Sequence, residues 1–177
     1  MPEAAKLPAF FYRLSPRAQR CYLRSDTIDR FDLTLTPALA ARTRAALQTL
    51  AGGSLPAINA ASQALVTELC QTLGVRPVMV EIRGVRPRDT RSELHGVFFP
   101  KARPPRLIVW MRTAQRRDIV KPKTFLRTLA HEVGHYLDYA LLKLEDSFHT
   151  RGFFQRESFL VRTLFQPTAA DARQREA

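Results

Sequence analysis

Apolar and polar residues alternate along this chain in two different periods, and the change of period divides it into elements. Ser15-Pro16 is a helix start, predicting a short helix to about Ser25. Thr36-Pro37 opens a second helix that stops at Gly52-Gly53. Pro56 opens a third, with Ile58, Ala61, Leu65, Leu69 and Leu73 at helical spacing and Gly74 beyond its end. The period then falls to two. Pro77 to Ile82, Leu94 to Phe99, and Leu107 to Met111 each read as a short strand. Lys121-Pro122-Lys123-Thr124 starts a long helix to about Leu144, with Leu126, Leu129, Val133, Leu137, Ala140 and Leu144 on one apolar stripe. A last helix is predicted from Gly152 to Phe165. Helices, a small sheet of three or more strands, a long helix and a closing helix make an α+β fold. Residues 1–35 read as an N-terminal extension, 36–166 as the domain and 167–177 as a flexible tail.

The polar face of the long helix carries the candidate chemistry. His131-Glu132-Val133-Gly134-His135 places two imidazoles on one face, about 6 Å apart along the axis. That spacing lets both rings bind one Zn²⁺. Glu132 falls beside the remaining coordination position, where a carboxylate acts as general base toward an attacking water. The histidines lie far round the helix from the apolar stripe, so one face packs while the other borders a cleft. Asp138, three residues after His135, is placed to orient an imidazole or to be a plain surface carboxylate. Tyr136 turns toward the packed side. Tyr139 turns toward Glu132.

A zinc site that keeps a position open needs a third protein ligand. His149 is favoured, because three of the four histidines fall within residues 131–149. Glu157, on the last helix, is the alternative. His95 is expected to be structural.

These residues resemble SprT-like zinc metallopeptidases, a group that includes a DNA-dependent protease. The family has H-E-x-x-H on a helix, a connection of roughly a dozen residues, and a histidine with an aromatic residue four positions later. His149 and Phe153 match that last element. Thr128-Leu129-Ala130 leads into the motif as in the family, and the run Arg106 to Met111 stands where a strand precedes the helix. The similarity covers about residues 95–160. Thr150 replaces the usual glycine, the sequence has no counterpart of the family's C-terminal zinc ribbon, and residues 1–90 align with nothing in it. The resemblance implies a zincin-like domain hydrolysing peptide bonds. In such folds a strand beside the metal helix pairs with extended substrate, and Leu107, Ile108, Val109, Trp110 and Met111 are the candidates. A related H-E-x-G-H-x-x-D pattern, with Asp138 in its last place, takes a glutamate as third ligand and keeps Glu157 open.

Composition narrows the remaining choices. The chain has 177 residues, 45% hydrophobic and 25% charged, as expected for one globular domain. Its net charge is +12. Residues 76–127 hold 14 basic against 4 acidic side chains, a balance of +10. Such a surface attracts polyanions, so non-specific DNA or RNA binding through Arg112, Arg116 and Arg117 is a further expectation. Cys21 and Cys70 have no C-x-x-C partner, which suggests a reducing compartment or at most one disulfide. Neither a signal peptide nor a membrane span is evident, so a cytoplasmic location is expected. Three functions fit: a zinc peptidase acting on proteins or peptides, another zinc hydrolase acting on nucleic acid or a small amide, and an inactive zinc-containing nucleic-acid-binding module. Glu132 argues against the last, since a structural metal needs no general base.

Overall fold

The computed structural model describes residues 7–90 and 92–166. Among these, the helices are α1 (Pro16–Thr27), α2 (Pro37–Gly52), α3 (Leu55–Thr72), α4 (Pro122–Ala140) and α5 (Arg151–Leu164), after one short 3₁₀ turn. The strands are β1 (Met79–Val85), β2 (Gly96–Phe99) and β3 (Arg106–Arg112). The fold is α+β. Hydroxyls of Ser15, Thr36, Ser54 and Thr150 accept N–H bonds from the first turns of α1, α2, α3 and α5. Proline occupies the first turn of α1 to α4, where its missing N–H costs nothing. No helix is long and apolar enough to cross a membrane among the described residues. Cys21 and Cys70 are both free and buried. The expected tail, 167–177, lies outside the described residues, as do residues 1–6 of the expected extension.

The sheet order is β1-β3-β2, with β1 parallel and β2 antiparallel to β3. One face of the sheet, with Val80, Ile82, Leu107, Val109 and Met111, packs into a core shared with α2, α3, α4 and α5. This arrangement corrects the expectation for the substrate strand. Leu107, Ile108, Val109, Trp110 and Met111 form the central strand, and its two edges are hydrogen-bonded to β1 and β2. They have no edge to offer a peptide. The unbroken apolar run that marked this strand is the signature of burial on both faces. All five residues are buried. The outer edge of β1 is also engaged, because the Val80 and Ile82 N–H groups donate to the side chains of Gln63 and Asn59 on α3, at 2.8 and 2.6 Å. The edge that borders α4 belongs to β2.

The segment before residue 36 is built into the fold rather than appended to it. Phe11, Cys21, Tyr22, Phe31 and Leu33 are buried, and α1 packs against α5. The contact is close at Gly152, where a Cβ would lie 2.4–2.7 Å from the carbonyl oxygens of Ser25, Asp26 and Ile28. These are backbone atoms at the end of α1 and cannot swing aside. Gly152→Ala is therefore expected to destabilise the protein by about 1–3 kcal/mol through overpacking. A urea-unfolding midpoint equal to wild type would show that α1 yields freely.

Helix α4 stops at Ala140, four residues short of the expected Leu144. The Leu142 and Leu144 N–H groups cap the carbonyls of Leu137 and Asp138, and Lys143 takes a left-handed φ of 54°. The turn brings the following residues back along α4. Leu144 still reaches the core, but from the connection rather than from the helix.

Candidate metal centre

Because the chain reverses after α4, His149 meets the two histidines of the helix. The Nε2 atoms of His131 and His135 are 3.2 Å apart, and each is 3.0 Å from Nε2 of His149. Three nitrogens sharing one tetrahedral Zn²⁺ at about 2.0–2.1 Å would stand about 3.3 Å apart. The triangle is slightly tighter than that and otherwise matches.

The chemistry of the donors also suits a cation. A carboxylate only accepts hydrogen bonds. His131 Nδ1, 3.0 Å from Glu157 Oε2, is therefore the donor there, and its Nε2 faces the other two imidazoles. Burial, and then the neighbouring His131 and His149, hold His135 down to about 3, so its ring stays neutral. Burial likewise lowers His149. The neutral imidazole is the ligand form that metals require.

Glu157 thus does not join the cluster of three imidazoles. It lies behind His131, on the side of the ring away from the other imidazoles, and its second oxygen accepts from Arg127 Nε at 3.0 Å. Its place on α5 holds it where it orients a histidine. Phe153 supports the cluster from below: its ring stacks on His135 at 4.5 Å between centroids and meets His131 edge-on at 5.0 Å. Phe154 stacks on the far side of His149 at 5.6 Å. Gly134 faces the Phe153 ring, and a Cβ there would meet it at 3.4 Å, an ordinary packing distance. Thr150 caps α5 through its hydroxyl and is fully buried.

Glu132 sits where two cavities meet. One, of about 410 Å³, is lined by Glu93, His95, Thr124 and Arg127 as well as His131 and Glu132. The other, of about 320 Å³, runs past Val97, Phe98, Pro100, Tyr139 and His149. Together they form a cleft along β2, with Glu132 and Gly96 bordering both. Burial pushes the Glu132 carboxyl up to about 7, with His131 acting in the opposite sense. A carboxylate in that range is matched to taking and returning a proton near neutrality.

Gly96 is a site residue that the strand pattern alone did not reveal. A Cβ there would lie 2.6–2.9 Å from the Glu132 carboxyl and its neighbouring carbons. A lone glycine inside a strand is the signal of such close approach. Gly96→Ala is expected to keep the histidine cluster and displace the carboxylate. For a site that works as a zinc hydrolase, displacement by about 1 Å can cost on the order of 100-fold in turnover, read as kcat beside zinc content; an unchanged kcat in the zinc-loaded variant would refute the role.

The other expected residues are distributed as follows. Asp138 is fully buried and bonded to Ser147 and Arg156, so it is no surface carboxylate. Tyr136 is buried, its hydroxyl donating to the Arg76 carbonyl. Tyr139 borders the cleft and donates to Asp146 at 3.1 Å. His95, expected to be structural, is exposed in the cleft, so all four histidines border one site. Arg112, Arg116 and Arg117 lie at and beyond the end of β3, where Arg112 donates to the Arg117 carbonyl. None of the three lines either cavity.

Compared with models of protein families, with curated proteins and with solved structures, the chain returns no match.

Proposed function

We propose that the protein is a zinc-dependent peptidase of the SprT-like kind, with His131, His135 and His149 as metal ligands and Glu132 as general base. The observation that carries this reading is the triangle of Nε2 atoms with a buried carboxylate beside it in an open cleft. A bound zinc would polarise the scissile carbonyl and offset the charge that develops on its oxygen. Glu132 takes the proton of the attacking water and delivers it to the leaving amine. His131 and His135 are held in register by α4, and His149 by the connection that α5 anchors. The edge of β2, rather than β3, supports an extended peptide by main-chain pairing across the site.

The test is cleavage of an unstructured protein such as casein by zinc-loaded protein, read by mass spectrometry of the products. New amino termini that vanish with a chelator and return with zinc support the reading. Intact substrate with a fully zinc-loaded protein would move the site to another hydrolase class. Association with nucleic acid is proposed for the turn after β3. Charge reversal at Arg112, Arg116 and Arg117 is expected to weaken oligonucleotide binding and flatten its fall with salt. Binding indifferent to salt would remove the proposal.

A further inference from the structure

His135 is held by a chain of buried polar groups that leads away from the cleft. Its Nδ1 is 2.7 Å from Ser147 Oγ, and Ser147 Oγ is 2.7 Å from Asp138 Oδ2. The other Asp138 oxygen accepts from Arg156 Nη2 at 2.9 Å. Both side chains of that pair are buried, at 1% and 0% exposure. Arg156 continues to the Ser25 and Ile28 carbonyls and to Ser25 Oγ, at the end of α1.

Donor and acceptor counting fixes the direction of each bond. Arg156 can only donate, and its charge favours an ionised Asp138 that can only accept. Ser147 has one hydroxyl proton, which Asp138 takes. The serine oxygen must then accept from His135, so the His135 proton resides on Nδ1 and its Nε2 lone pair points at His131 and His149.

We infer that Ser147, held by Asp138 and Arg156, is a positioning residue that fixes the His135 tautomer, and that α1 thereby belongs to the metal centre. This rests on the proposed metal site for its consequence, though not for the hydrogen bonds. The sequence offered Asp138 as an imidazole-orienting residue. The serine between them, nine residues after Asp138, has no motif to announce it. Loss of such a supporting group typically costs 10–100-fold in metal affinity.

The experiment compares wild type, Ser147→Ala and Ser147→Thr. Long-range ¹⁵N–¹H NMR of the metal-free protein reads the tautomer of His135. Competition with a chromophoric chelator reads zinc affinity. Wild type and Ser147→Thr are expected to show His135 protonated on Nδ1. Ser147→Ala should lose that preference and bind zinc about 10–100-fold more weakly. An unchanged tautomer in Ser147→Ala overturns the inference, whatever zinc does. A wild-type protein that takes up no zinc overturns the metal reading instead, and the tautomer measurement still decides the role of Ser147.

Discussion

Glu132→Gln is expected to bind zinc as wild type does and to lose turnover by about 10²–10⁴-fold, the usual contribution of a positioned general base. His131→Ala is expected to do the reverse at the metal, losing the ion and activity with it. The contrast follows from position. The three imidazoles converge without any contribution from Glu132, whose carboxyl lies against Gly96 at the meeting of the two cavities. An amide fills the same volume but accepts no proton. Metal content by atomic emission, beside initial rates on a cleaved peptide, separates the two variants. A Gln variant that turns over like wild type would falsify the assignment of the base. A His131→Ala protein that keeps its zinc would do the same for the ligand set.

Much of this site was legible in the sequence because helical geometry is local. Two histidines four apart must share a face, and Glu132 between them must sit beside that face. The choice between His149 and Glu157 was harder, since it depends on where the chain goes after α4. The left-handed turn at Lys143 sends the chain back toward His131 and His135, where His149 meets them. No periodicity encodes that turn, and the apolar Leu144 prolonged the expected helix because it is buried in either case. The substrate strand differs from its expectation for a related reason. An apolar run identifies a strand but not its neighbours, and β3 owes its hydrophobicity to lying between β1 and β2. The N-terminal segment reads as detachable because its partners, Gly152 and Arg156 among them, lie on α5, more than 120 residues away in the chain. Arg156 is fully buried, against the ordinary expectation for an arginine.

That arginine carries the largest stability effect expected outside the site. Arg156→Ala should destabilise the protein by about 3–5 kcal/mol, the usual consequence of breaking a buried ion pair from one side. Removing the guanidinium leaves Asp138 buried with only Ser147 as partner, takes a donor from the Ile28 carbonyl, and leaves the Ser25 carbonyl with the long Ile28 N–H bond of 3.4 Å. Burial already raises the Asp138 carboxyl, against the pull of Ser147 and Arg156. Without the arginine the carboxyl should take up a proton, which relieves part of the charge penalty and leaves the lost hydrogen bonds. For a domain of this size the loss corresponds to a fall in Tm of roughly 6–20 °C. Arg156→Met tests whether charge or volume matters, because it fills the space and removes the same donors. Comparable loss in both variants identifies the hydrogen bonds as the cause, whereas recovery in Arg156→Met would assign it to packing against Phe31 and Phe153, which lie 5.8–5.9 Å from the guanidinium carbon. Thermal unfolding followed by circular dichroism, with zinc chelated throughout so that metal binding does not enter the comparison, measures both. A Tm within about 2 °C of wild type in Arg156→Ala, well below the expected shift, would mean that α1 docks without this residue.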